Sequence, residues 1–274
     1  MVNDTNTKAT DNQHIHDDND DPHNNETIGT VRMVTAMFAS PLMWIFDDPS
    51  NKGWNEPSHG MVGNGFGWGQ SSHLLGWVFH VLGAERLIPR TVHCVMTHSA
   101  KTGADICHAA IITCTHNGGS LRRNIDGTTG NSSAPPVILS LSGTCLLPGC
   151  EHGEGDDTVG KQIQISIFGT DGSIQYAGDD SDPTSGSLEV RLSSRHGKLG
   201  SNQSSPDTGF HFENTGTDGT GPESLQSFID ACNGLEYYKG AGSLLGLRTV
   251  QVLDAMYRSS VSGQTEKVLY QEDN

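Results

Sequence analysis

Basic side chains are scarce in this 274-residue chain: 16 Lys and Arg stand against 32 Asp and Glu, a formal charge of −16. Binding a phosphate backbone depends on Lys and Arg displacing counterions, so this balance excludes nucleic acid as a partner. Attraction to an anionic membrane surface is excluded for the same reason. Long apolar runs are absent too; none approaches the 18 or more residues of a membrane span, and Met1-Val-Asn-Asp-Thr has neither the basic start nor the apolar core of a signal peptide. The expected location is therefore the cytosol. None of the six cysteines falls in a Cys-x-x-Cys pair, and in that compartment they read as reduced, mostly buried thiols.

Three nucleotide and metal signatures are also missing. Gly63, Gly65, Gly67 and Gly69 suggest a phosphate loop, yet a dinucleotide fingerprint needs glycines at 65, 67 and 70, and position 70 is Gln. No Gly-x-x-x-x-Gly-Lys-Ser/Thr and no His-Glu-x-x-His occurs. The glycines are read instead as a close-packed or flexible entry to a following helix, where backbone can approach a substrate.

What is present divides in two. Residues 1–27 are rich in Asp, Asn and His with almost nothing apolar to bury, so they are expected to form a solvated, disordered tail. Its His14, His16, Asp17, Asp18, Asp20, Asp21 and His23 are metal-type ligands without the surrounding structure that fixes ligand geometry. Residues 28–274 read as one folded domain. A strand opens it through Val31, Met33, Thr35 and Met37, and Pro41, Pro49 and Pro57 mark an irregular loop over 40–67, pinned by Trp44 and Trp54.

Leu74, Leu75, Trp77, Val78, Val81 and Leu82 recur at helical spacing, predicting a helix over 70–82 that Gly83 ends. Strands are predicted over 90–96, 105–115, 119–125, 136–141, 162–168, 173–176 and 188–192, spaced too closely for parallel crossovers. Helices follow over 223–232 and 244–259, while 146–160 and 194–222 read as loops. The plan is α+β: a large, mainly antiparallel open sheet with helices packed on one face.

Several stretches in fixed order carry a family resemblance. They are Ile28-Gly-Thr-Val-Arg-Met-Val-Thr-Ala-Met-Phe-Ala-Ser-Pro41, then the segment from Gly65 through His73 to Gly83, Thr102-Gly-Ala-Asp105, Ile167-Phe-Gly-Thr-Asp-Gly172, Tyr176-Ala-Gly-Asp-Asp180, Glu223 to Gly234 and Gly246 to Gly263. Together they resemble the C-terminal domain of the Gfo/Idh/MocA oxidoreductases, the family of glucose-fructose oxidoreductase and inositol dehydrogenase. The family's nucleotide-binding first domain, with its Glu-Lys-Pro signature, has no counterpart in these residues.

The resemblance implies a substrate-binding and oligomerisation domain of an NAD(P)-dependent sugar or polyol dehydrogenase, not competent for hydride transfer alone. It implies no cofactor bound by this chain, NAD or NADP supplied with a Rossmann partner, a sugar or polyol ligand, and a homo-oligomer joined through the open sheet. His73 stands where the family's proton-exchanging histidine stands, and imidazole suits that task because its ordinary pKa lies near 6.5. The acid expected four residues earlier is replaced by Gly69. Trp68, Gln70, Lys101, Asp105 and Tyr257 are the expected substrate contacts, each with a plainer reading: a surface ion pair for Lys101 and Asp105, a core cap for Tyr257. The alternative function is a non-catalytic carbohydrate- or protein-binding module built on the same domain.

Overall fold

The computed structural model describes residues 28–116, 135–149, 159–179, 182–193, 203–204, 222–237 and 240–270. The tail histidines, the strand expected over 119–125 and Cys150 lie outside them.

Strand β1 (Val31–Ala39) leads through single-turn helices α1 (Met43–Phe46) and α2 (Lys52–Asn55) to a π-helical turn, Gly67–Ser71, that runs straight into α3 (Ser72–Leu82). Strands β2 (Leu87–His98), β3 (Asp105–His116), β4 (Val137–Thr144), β5 (Gln162–Gly169), β6 (Gly172–Asp179), β7 (Asp182–Leu192) and β8 (Gln203–Ser204) follow. Helices α4 (Pro222–Cys232) and α5 (Ser243–Ser262) and strand β9 (Glu266–Lys267) close the chain. The described strands form one sheet in the order β8-β7-β6-β5-β1-β4-β3-β2-β9.

Every adjacent pair is antiparallel except β1 with β4. β1 enters the sheet before the helical segment and slots between β4 and β5. It is thus joined to β4 by a long excursion and not by a hairpin, which leaves parallel pairing open to it.

Alternation decides which side is core. Val34, Ala36 and Phe38 of β1, Val137, Leu139 and Leu141 of β4, and Ala110, Ile112 and Cys114 of β3 are buried, whereas their sequence neighbours on the other face are half-buried or exposed. Helix α3 turns Leu74, Leu75, Val78 and Phe79 inward, and α5 turns Val252, Leu253 and Met256 inward, so these two helices cover the buried face. A side chain such as Leu75 or Leu253, taken fully out of water, contributes about 1.5–3 kcal/mol. Gly83 (φ 81°) stops α3; Gly263 (φ 65°) stops α5, its N–H donating to the Ser259 carbonyl at 2.8 Å.

The α+β plan read from the sequence is the one observed, with three local differences. The segment 40–67 contains α1 and α2, held by Asn51 and Asn55 side-chain amides donating to the carbonyls of Trp44, Ile45 and Asp48. Phe46 is its fully buried anchor, while Trp54, edge-on to it at 6.4 Å, is half exposed. Helix α4 does not join α3 and α5 as a buried layer: its Leu225, Phe228 and Ile229 are exposed.

Burial holds the thiols of Cys94, Cys114 and Cys145 at about 12, up from 9.0, while Cys232 is exposed. A folded-state pKa raised above the unfolded value gives stability that is complete below pH 9 and is lost as pH climbs toward 12. The urea midpoint should be flat up to pH 9 and fall beyond it. At neutral pH a thiol reagent should label Cys232 at once and those three only on unfolding; equal labelling rates would contradict this packing.

Candidate functional site

Helix α3 does not begin as an α-helix. The preceding turn, Gly67–Ser71, is π-helical, and such wide turns are rare and frequently found at functional sites. Its backbone is held from below by side chains of distant elements. The Gly67 N–H donates to Asp105 Oδ2 at 2.9 Å, and the Trp68 N–H donates to the Tyr257 hydroxyl at 3.3 Å. Tyr257 in turn donates to Asp105 Oδ1, and Ser71 Oγ shares a hydrogen bond of 2.8 Å with His108 Nε2. Ser71, Asp105, His108 and Tyr257 are all buried.

On a regular strand Asp105 and His108 would face opposite sides of the sheet, being three residues apart. Both face the helices because β3 carries a bulge: Thr97 pairs with Cys107 but the next residue, His98, pairs with Asp105, so Ile106 is extra. A bulge of this kind re-aims a side chain. His108 Nδ1 lies 3.6 Å from Asp105 Oδ2, longer than an ordinary hydrogen bond. Ser71, His108 and Asp105 thus follow a Ser–His–Asp order, yet Ser71 has no exposed surface from which to attack anything.

The glycines before the turn are explained by the same cluster. A Cβ on Gly63 would meet the Tyr257 ring at 2.6 Å, one on Gly65 would meet the Asp105 backbone nitrogen at 2.5 Å, and one on Gly67 the Tyr257 hydroxyl at 2.9 Å. The space beside these glycines is filled by the protein itself and is not a cradle for a pyrophosphate. At Gly69 a Cβ would stand 3.1 Å from Phe46 Cζ and 3.3 Å from Trp54 Cζ3, so these rings occupy the place an acid would need.

Of the residues picked out from the sequence, the structure brings Trp68, Asp105 and Tyr257 together. The Trp68 and Tyr257 rings stack with centroids 5.8 Å apart at 14°. Asp105 is fully buried and Tyr257 nearly so; Trp68 and Gln70 are half-buried, Trp68 packing against the core with its indole N–H buried and unpartnered among the described residues, and only His73 of this group is exposed. Burial, and then the charge of Asp105, push the Tyr257 phenol far above its ordinary value, so it stays a hydrogen-bond donor throughout the working pH range.

Lys101 belongs to a second group. It pairs with Asp47, whose other oxygen accepts from Ser99 Oγ at 2.5 Å, and these bonds, Lys101 first, hold the Asp47 carboxyl below its ordinary value. Lys101, Asp47, Asp48, Trp44 and Asn51 line an open cleft of about 640 Å³. The Lys101 side of the pair is largely solvated, 65% exposed, and Asp47 keeps its bond from Ser99 without it, so Lys101→Met should leave the urea midpoint within error of wild type. A clear drop would show that the pair supports the fold. Arg258 is engaged by Asp254 at 2.8 Å and Glu266 at 2.9 Å.

Ser71 and His108 escaped the sequence reading. Ser71 was one hydroxyl among many, and His108 joins Asp105 only through a bulge that no residue pattern announced. The glycine run traces Asp105 and Tyr257, not Ser71 or His108; the glycine that makes room for His108 is Gly143, where a Cβ would stand 2.8 Å from His108 Cε1.

No protein-family model and no curated protein sequence matches the chain. Solved structures do match its fold. A crystal structure described as an NADPH-dependent oxidoreductase from Desulfitobacterium hafniense superimposes with TM-score 0.51 at 15% identity, covering 88% of this chain and 58% of that one. The WlbA dehydrogenase from Bordetella pertussis, in complex with NADH and UDP-GlcNAcA, gives 0.51 at 17%, covering 89% and 57%. Levoglucosan dehydrogenase in complex with NADH and levoglucosan gives 0.50 at 16%, covering 88% and 60%. The chain therefore spans 57–60% of the length of these structures. At such identities the likeness establishes a shared fold: this chain has the architecture of one part of a longer NAD(P)-dependent oxidoreductase.

Proposed function

We propose that this chain is the ligand-binding and association domain of a Gfo/Idh/MocA-like oxidoreductase acting on a sugar or polyol in the cytosol. The nicotinamide cofactor would be held by a nucleotide-binding domain, adjoining or separate. The observation that supports this most is the fold, shared over nearly nine-tenths of the chain with an oxidoreductase described as NADPH-dependent and with dehydrogenases in complex with NADH. In this reading Trp68 and Gln70 would supply an aromatic face and an amide to a polyhydroxylated ligand, and the exposed His73 imidazole would exchange a proton with a ligand hydroxyl. The residues of this chain do not fit a dinucleotide, since the glycines that could cradle phosphates pack on Tyr257 and Asp105.

A second reading, a non-catalytic carbohydrate-binding module on the same fold, is favoured by one observation. Phe46 and Trp54 fill the space beside Gly69 where a catalytic acid would sit.

Calorimetric titration with myo-inositol, D-glucose, levoglucosan, NADH and NADPH tests both. Binding of a sugar or polyol with no binding of either dinucleotide is the expected result. Tight binding of NADH or NADPH by this chain alone, or no binding of any of the three carbohydrates, would overturn the proposal. Adding a nucleotide-binding domain then separates the two readings, because only the first gives cofactor reduction.

The association surface is the uncovered sheet face. Ser166, Thr35, Ser140, Ile111 and His93 are in register across β5, β1, β4, β3 and β2, and Gln164, Met37, Ser142, Ala109 and Val95 form the next row. Neither row contains Asp, Glu, Lys or Arg, and Ile111 and Val95 are 46% and 62% exposed. A five-strand stretch with no Asp, Glu, Lys or Arg in either row, carrying the exposed Ile111 and Val95, on a chain this acidic suits self-association through a two-fold axis.

A further inference from the structure

The π-turn is an unusual local geometry, and its hydrogen bonds alone do not account for it: five residues of π-helix give poorer bonds than the α-helix they lead into. What is distinctive is that three of its five residues are tied to buried side chains from β3 and α5, at Gly67, Trp68 and Ser71. Each tie depends on a tertiary feature built for it. The Ile106 bulge aims Asp105, the glycines make room for Asp105 and Tyr257, and the phenol lies flat against the Trp68 indole.

We propose that Asp105, Tyr257 and His108 are positioning residues: they touch no ligand, and they fix the π-turn and with it the positions of Trp68 and Gln70 and the start of the helix that carries His73. This rests on the ligand face proposed above, but the geometry can be tested without any ligand. Asp105 uses both carboxylate oxygens as acceptors, one for the Tyr257 hydroxyl and one for the Gly67 N–H. An asparagine there keeps the shape and offers one acceptor oxygen, so one of these donors loses its acceptor. Tyr257→Phe is milder, since the ring stack persists while the Trp68 N–H loses its acceptor and Asp105 loses a donor.

The test uses the full chain labelled with 5-fluorotryptophan, whose four fluorine resonances report Trp44, Trp54, Trp68 and Trp77 separately once Trp68→Phe has assigned one of them. In Tyr257→Phe and Asp105→Asn the Trp68 resonance should shift or broaden while those of Trp44 and Trp77 hold. Amide exchange at 67–71 should quicken about tenfold, the loss of roughly one net hydrogen bond, with β1 and β4 unchanged. The proposal is overturned if Trp68 stays put in both variants, or if all four resonances and all amides change together, which is the mark of a merely structural role. If Asp105→Asn does not fold, Tyr257→Phe decides alone. Titration with myo-inositol separates this inference from the functional one. Binding by wild type that weakens in Tyr257→Phe supports both, equal binding in the two overturns the positioning role, and no binding by wild type removes myo-inositol as the ligand and leaves the fluorine result as the judge.

Discussion

Gly65→Ala is expected to lower the unfolding free energy by about 2–6 kcal/mol, the sum of a strained backbone and an overlap in a packed interior. Gly65 sits at φ +146°, where side-chain-bearing residues are strained. The added methyl would also stand 2.5 Å from the Asp105 nitrogen and 2.6 Å from its carbonyl oxygen. Both atoms are backbone, so neither can swing aside as a flexible side chain would. Relief requires moving the start of β3, which is hydrogen-bonded to the glycine segment through the Asp105 N–H and the Asn64 carbonyl at 3.2 Å. Ordinary domains are stable by about 5–15 kcal/mol, so the substitution should remove a large part of the total. Urea unfolding followed by circular dichroism measures it. Gly60→Ala is the control, because its Cβ meets nothing within 4 Å; with φ +80° it carries strain alone and should cost visibly less. Equal losses in the two variants would show that the close approach to Asp105 contributes nothing.

Much of this architecture was legible because the physics behind it is local. The strand over 31–39 was legible but its buried face was not: Val31, Met33, Thr35 and Met37 stood out in the sequence, whereas Val34, Ala36 and Phe38 are the buried ones, because β1 is apolar on both faces and period two then names neither. The α3 stripe of Leu74, Leu75, Val78 and Phe79 is legible at period 3.6. What escaped depends on contacts far apart in sequence. The bulge that turns Asp105 toward the helices follows from the pairing of β3 with β2, and Asp105 meets Tyr257 across 152 residues. The candidate residues divide the same way: His73, Trp68 and Gln70 were named from the family resemblance along one segment, whereas Ser71 and His108, which meet only through the fold, were not named at all. The glycine run was the place where the sequence broke its own local rule, and its reason turned out to be the bulk of Asp105 and Tyr257 and not a phosphate.

Ile111→Glu should convert an associating protein into a monomer without disturbing its fold. Ile111 is 46% exposed on the uncovered face, flanked by His93 and Ser140 in register, and its side chain contributes nothing to the buried layer beneath α3 and α5. In a two-fold interface the same patch occurs on both copies, so one substitution places two carboxylates in the contact. Each must be stripped of water with no Lys or Arg in either register row to receive it. Like charges brought together at an interface cost several kcal/mol, which corresponds to at least about a hundredfold weaker dimer. Sedimentation velocity across a concentration series gives the dissociation constant of wild type and variant, and urea unfolding checks that the variant keeps its fold. A wild-type chain that is monomeric at high concentration would remove the association reading. A variant that dimerises as tightly as wild type would instead place the contact elsewhere, with the exposed apolar stripe of α4, Leu225, Phe228 and Ile229, as the next surface to charge.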